Sequence, residues 1–252
     1  MGRHARRPFL CGVYILRTKS RCLLTALVFF TILNSRAQVK PSAGDAPAKA
    51  IMASRPWEAG VFLQGGVGVE ERSDFSFLSA GGRLGKVITG PHGPGILRGQ
   101  FEYAGEILPY WQSFTPSPHS ALTEFIYNGK IGYAELPYGG GTYTGVSITP
   151  IILRWDLVPG RHFAPWVQGA GGLLYTTHKY PPDILVPHGV PGGTSVWNFT
   201  PQFGIGAHYF LKPRRSLDFA ANAIHISNAS LGDRNPGVNA SVQFQIGYTW
   251  WK

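Results

Sequence analysis

From about residue 57 onward, hydrophobic and polar positions alternate with a period of two between Gly- and Pro-rich breaks. That is the pattern of half-buried strands, not of amphipathic helices. In 197–211 (WNFTPQFGIGAHYFL) the odd positions run Trp197, Phe199, Pro201, Phe203, Ile205, Ala207, Tyr209 and Leu211. The even positions between them are polar or small, apart from Phe210. The last segment repeats the pattern: Val242, Phe244, Ile246, Tyr248 and Trp250 alternate with Ser241, Gln243, Gln245, Gly247 and Thr249. Segments of this kind exceed the roughly five or six residues of a typical globular strand. They suit tilted strands that cross a bilayer, with lipid on one side and a polar or small-residue lumen on the other.

The pattern predicts eight strands, over 57–70, 74–89, 95–108, 143–156, 162–175, 197–211, 215–227 and 239–251. The expected fold is therefore all-β, an antiparallel transmembrane barrel with a lipid-facing exterior. Gap lengths support it. Connections after the second, fourth and sixth strands are short, whereas 109–142, 176–196 and 228–238 are longer, as for periplasmic turns opposite external loops. The loop after the first strand departs from this by being short. Segment 122–135 reads either as an external extension of neighbouring strands or as an extra strand. Aromatics at strand ends (Trp57, Tyr110, Trp111, Tyr175, Trp197, Trp250 and Trp251) are expected to form interfacial girdles. A lipocalin-like soluble barrel would put Lys and Glu opposite its oily faces, and here those positions carry Gln, Asn, Thr and Gly.

Composition sharpens the picture. The 252 residues are 44% hydrophobic and only 14% charged, with 13% aromatics, which opposes disorder. The net charge of +10 belongs mostly to residues 1–37, which hold seven Lys/Arg and no acid. Beyond them sixteen basic residues face thirteen acidic ones, so a nucleic-acid partner is not indicated. Residues 1–37 read as a cleaved signal peptide: a basic stretch, the apolar run 22–33, then small residues at Ser35 and Ala37. Residues 38–56 read as a flexible linker, and 57–252 as the barrel. Both cysteines, Cys11 and Cys22, fall in the leader, which leaves no disulfide or zinc framework in the body.

Glycine clusters at 65–68, 139–141 and 169–172 neither open a helix nor precede Lys-Ser/Thr, so a phosphate cradle is not indicated. Glycine on the inner wall of a narrow barrel explains them better. There is no HExxH, no GxSxG and no indicated metal site or cofactor. One constellation stands apart. In 215–227, His225 and Ser227 continue the oily phase of Leu217, Phe219, Ala221 and Ala223, and so are expected to face lipid near the outer leaflet. Two residues apart on a strand they share a face, roughly 7 Å apart. A Ser hydroxyl beside an imidazole is the pairing that activates a weak nucleophile. Polar rim residues in the headgroup zone are the alternative.

The run His225-Ile226-Ser227-Asn228-Ala229, on the penultimate strand of such a barrel, resembles the lipid A 3-O-deacylase (PagL-type) family of outer-membrane acyl-ester hydrolases. Similarity is strongest over about residues 143–252. The resemblance implies His225 as general base and Ser227 as nucleophile toward an ester of lipopolysaccharide, with no cofactor. It maps the oxyanion site to Asn228 and to Ser230, where the family has glycine. It also implies residence in the outer membrane of a Gram-negative-type bacterium, with lipid A and membrane lipid as partners; a homodimer stays open. The family completes its triad with a glutamate at the position held here by Asn239. An amide oxygen there can orient the ring but supplies no charge. Strand parity puts Asn239 on the inward phase unless the turn or a bulge rotates it, and Asp233 is the alternative orienter. The competing reading is an inactive barrel with a structural or lipid-binding role, and a weaker one a secreted soluble barrel that binds a small apolar ligand.

Overall fold

The computed structural model describes residues 46–182, 195–229, 231 and 239–252. Among the described residues eleven strands form, in the order β1 (Trp57–Gly68), β2 (Ser76–Val87), β3 (Gly99–Phe114), β4 (His119–Tyr127), β5 (Lys130–Tyr138), β6 (Thr142–Leu157), β7 (Phe163–Tyr180), β8 (Ser195–Phe199), β9 (Gln202–Lys212), β10 (Arg215–His225) and β11 (Ala240–Trp251). Strand β1 pairs with both β2 and β11, and β6 with both β3 and β7, so the sheet closes on itself. The result is an antiparallel barrel of eight staves, with no unpaired edge to present to lipid.

Three segments refine the sequence expectation. The sixth predicted strand is two pieces. Pro201 has no N–H to give the ladder, and the Thr200 amide turns to Gly172 O, so β8 ends and β9 begins around them. Segment 122–135 lies within a separate two-stranded hairpin, β4 with β5, inside the long loop between β3 and β6. The predicted third strand starts later than expected because Gly95–Leu97 forms a 3-10 turn.

The interior is filled in layers. At the end holding the short turns and the last residue of the chain, helix α1 (Pro47–Ala53) buries Ala48, Ile51 and Met52 against Val87, Ala164, Phe210 and Trp251. The expected linker is thus, over these residues, a plug. Proline at the helix start and an apolar face aimed at the barrel mouth account for it. At the opposite end Phe62, Phe75, Phe77, Leu108, Trp111, Leu174, Tyr180, Ile224 and Ile226 form an aromatic-rich stopper. Between them lies a polar layer. Arg154 Nη1 donates to Glu58 at 3.2 Å and Glu102 at 3.3 Å, its Nη2 reaches Gln168 at 3.1 Å, and its guanidinium stacks 4.4 Å from the Trp166 ring centre. His208 Nδ1 sits 2.6 Å from Asp218, which also accepts from Ser216 and Thr249. Space is tight, and a side chain at Gly206 would strike Trp166.

The outer face is the reverse. Val61, Leu63, Leu84, Ile107, Ile205, Phe219, Phe244 and Ile246 are all exposed. Trp57, Tyr110, Tyr175, Trp197 and Trp250 join them at strand ends, but Trp111 and Trp251 do not. A register shift between Leu108 and Trp111 turns Trp111 inward, and Trp251 simply alternates with Trp250. Short turns and the plugged mouth mark the periplasmic end, and the opposite end faces outward.

The central ion cluster generates a stability prediction. Replacing Arg154 with Met removes the cation and strands Glu58 and Glu102 in the barrel. Unfolding in urea, followed by tryptophan fluorescence in detergent micelles, should register a loss of about 3–5 kcal/mol.

Candidate active site on the outer wall

Strand β10 positions the site. Its even-numbered residues Ser216, Asp218, Asn222 and Ile224 are buried in the barrel, and its odd-numbered residues face out. Small Ala221 and Ala223 on that outer face leave the wall low as it approaches the external rim. His225 ends the strand and Ser227 follows in an isolated bridge to Phe199, and both are half-buried. The backbone holds them firmly. His225 N–H donates to Pro201 O at 3.0 Å, and Ser227 and Phe199 exchange two bonds of 3.0 and 2.7 Å. The two side chains therefore stand on one face, one pleat apart, on the lipid side of a rigid wall.

Beyond Ser227 the chain turns sharply. Ala229 has φ 50°, a left-handed conformation unusual for alanine, and its N–H donates to Ser227 Oγ at 3.1 Å. The Asn228 side chain is buried. Its carbonyl accepts from Leu231 N–H at 2.9 Å, which tightens the turn. Ser230 and Asp233 lie outside the described residues.

The structure places Asn239 away from the pair. Ile226 N–H donates to Asn239 O at 2.8 Å, so these two residues face each other across the ladder. Ile226 is buried in the inner stopper, and Asn239 is buried with it. Its Oδ1 accepts from Arg72 Nε at 2.9 Å, and the Arg72 guanidinium lies 5.2 Å from the Phe75 ring centre. No rotation by turn or bulge brings Asn239 outward, and the wall separates its amide from the imidazole. The residue that does face His225 across the ladder is Ala240. Sequence counting by distance from the Ser missed it, although the inward-outward parity of the last strand identifies it. Ala223 faces Val242 on one side and Phe203 on the other, so the surroundings of His225 on these strands are apolar.

Elsewhere, Glu58, Glu102 and His208 bring potential metal-ligating atoms within 4.8 Å of one another. Arg154 Nη1 lies 3.2 Å from Glu58, 3.3 Å from Glu102 and 3.4 Å from His208 Nε2. The guanidinium thus takes the central place a cation would need, and this cluster serves structure.

Comparisons with known proteins give a family. Residues 101–249 match the family described as lipid A 3-O-deacylase (PagL), well over half of the chain and including His225 and Ser227. No curated protein matches. Among solved structures, the outer membrane enzyme PagL is 13% identical and aligns over 76% of this chain and 98% of its own, with a TM-score of 0.43. Neisserial surface protein A is 10% identical over 77% of this chain and 96% of its own, with a TM-score of 0.42. The N-terminal barrel of Pseudomonas aeruginosa OprF is also 10% identical, over 77% and 97%, with a TM-score of 0.37. From the closed eight-stave barrel, its oily exterior and the match over residues 101–249, the chain belongs to the lipid A 3-O-deacylase (PagL) family of the Gram-negative outer membrane.

Proposed function

We propose that this protein hydrolyses the 3-O-acyl ester of lipid A, using Ser227 as nucleophile and His225 as general base. The observation that carries the reading is the pair itself: an imidazole and a hydroxyl on one outward face of a membrane barrel, near its external rim, where physics would favour hydrocarbon side chains. Rotation of Ser227 about χ1 from its bond with the Ala229 amide brings Oγ toward the imidazole. His225 then takes the hydroxyl proton as Oγ attacks the ester carbonyl. The resulting oxyanion would be met by backbone amides of the Asn228–Ala229 turn, one of which the rotation releases. Collapse returns the proton to the leaving sugar oxygen, giving an acyl-serine and a free hydroxyl on lipid A. Water, deprotonated by the same imidazole, hydrolyses the acyl-serine and releases a fatty acid.

A barrel wall is a good platform for such a reaction. Lipid A already lies in the outer leaflet beside it, so substrate capture is a two-dimensional encounter with no pocket to enter. The filled interior supports the same reading, since the aromatic stopper and α1 leave the protein's outer wall as the surface on which lipid can be met.

A second reading, an inactive barrel, is favoured by one observation: Ala240 stands where a carboxylate would need to be to steady the imidazolium. Three measurements separate the two. Lipid A from cells expressing the wild type should lack one acyl chain by mass spectrometry, and lipid A from cells expressing Ser227→Ala should retain it; identical spectra would favour the inactive barrel. Ala240→Glu should raise turnover by about tenfold or more, because a carboxylate beside His225 orients the ring and stabilises its charged form. Asn239→Ala should leave turnover within about twofold of wild type while lowering stability by about 1–3 kcal/mol, since the buried Arg72 loses an acceptor.

A further inference from the structure

On the opposite flank of the barrel, and toward its periplasmic end, the outer wall carries a groove of about 940 Å³ across β1, β2, β3 and β6. This lies within the roughly 300–1,000 Å³ of sites that hold small molecules. Its floor is set by Gly82 and Gly105, whose neighbours Val61, Leu84 and Ile107 stand up on either side. A Cβ at Gly105 would come no nearer than 3.5 Å to another atom, and one at Gly82 no nearer than 3.4 Å. Packing within the barrel therefore does not demand glycine at either place. The trench exists because two outward positions on a lipid-facing wall carry no side chain.

One end of the trench is chemically distinct. Trp57 and Trp250 frame it, and Lys86 lines it. The ammonium is held in position: Nζ donates to Arg55 O at 2.6 Å and lies 5.3 Å from the Trp57 ring centre. A lysine has three protons to donate, so this anchoring leaves others to meet an anion. Arg83 and Glu106 also border the groove, but their side chains are buried and bonded to each other. An apolar trench that ends in a fixed cation between two interfacial aromatics has the layout of a glycerophospholipid: acyl chain along the glycines, phosphate at Lys86.

We propose that this groove binds an anionic glycerophospholipid of the periplasmic leaflet. The site is separate from the His225–Ser227 pair, which lies toward the other leaflet and on other strands, and it is independent of whether that pair is catalytic.

The test uses the barrel purified from its membrane in detergent, stripped of lipid, and titrated with phosphatidylglycerol or phosphatidylcholine under native mass spectrometry. One phosphatidylglycerol should bind per barrel, about fivefold more tightly than phosphatidylcholine. Lys86→Gln should abolish that preference, and the double variant Gly82→Leu/Gly105→Leu should reduce retention of both lipids. The usual shift in electrophoretic mobility on heating confirms that each variant is folded. Equal binding of the two lipids by the wild type overturns the proposal, as does undiminished retention by the folded leucine variant. A wild-type mass of two barrels that the leucine variant separates also overturns it, and assigns the groove to a second copy of the chain.

Discussion

Closure of the barrel is the constraint on which everything else rests. In hydrocarbon, each unpaired backbone amide is costly, and a sheet escapes that cost only by pairing its first strand with its last. Here β1 meets β11 along eleven residue pairs, from Glu58 with Trp251 to Gly68 with Ser241. Once the ring is closed, a side chain has two destinations, lumen or lipid, and its neighbour takes the other. Function follows from which residues break that division.

The lumen shows the cost of a polar interior sealed at both ends. Arg154, Glu58 and Glu102 are buried almost completely, so each depends on its partners for the solvation that water would otherwise supply. His208 and Asp218 repeat the arrangement one layer nearer the plug, where Trp251 Nε1 donates to Ser216 at 2.9 Å and ties the last strand into the network. These groups are close enough to resemble chemistry. Their bonds to one another, and the guanidinium at their centre, mark them as the packing of a narrow barrel. The pair on the outer wall has no such explanation.

How much of this is legible from sequence depends on whether parity is kept. It is kept through 215–227, so the outward face of His225 and Ser227 is readable there, and through the last strand, where every second residue from Val242 to Trp250 faces out. It is lost at Trp111, where a bulge beside Pro109 inserts residues and turns an expected girdle aromatic into the inner stopper. Trp251 misleads differently: adjacent tryptophans look like one belt, yet alternation sends one to lipid and the other to the plug. The helix at 47–53 escapes notice because seven residues are too few to show a period, and its stability comes from the barrel mouth it fills. Asn239 is the sharpest case. Spacing along the chain points to it as the partner of His225, whereas the ladder gives that place to Ala240.

That substitution has a physical reading of its own. A carboxylate facing lipid beside a neutral imidazole would be an uncompensated charge in a poorly solvating zone, and it becomes favourable only when the ring is protonated. With alanine there, the resting site is easier to hold in the membrane, but on the proposed mechanism it would give less help to the imidazolium formed when Ser227 loses its proton. The remaining orientation must come from the backbone: the bond from His225 to Pro201 O, the two-way bridge between Ser227 and Phe199, and the left-handed turn at Ala229. These fix where the side chains begin but not which ring nitrogen carries the proton. On that mechanism, tautomer control is the step with the least support from this chain's own residues. Placing a carboxylate at position 240 tests that step directly, because it changes the electrostatics of the ring while leaving Ser227 and the turn in place.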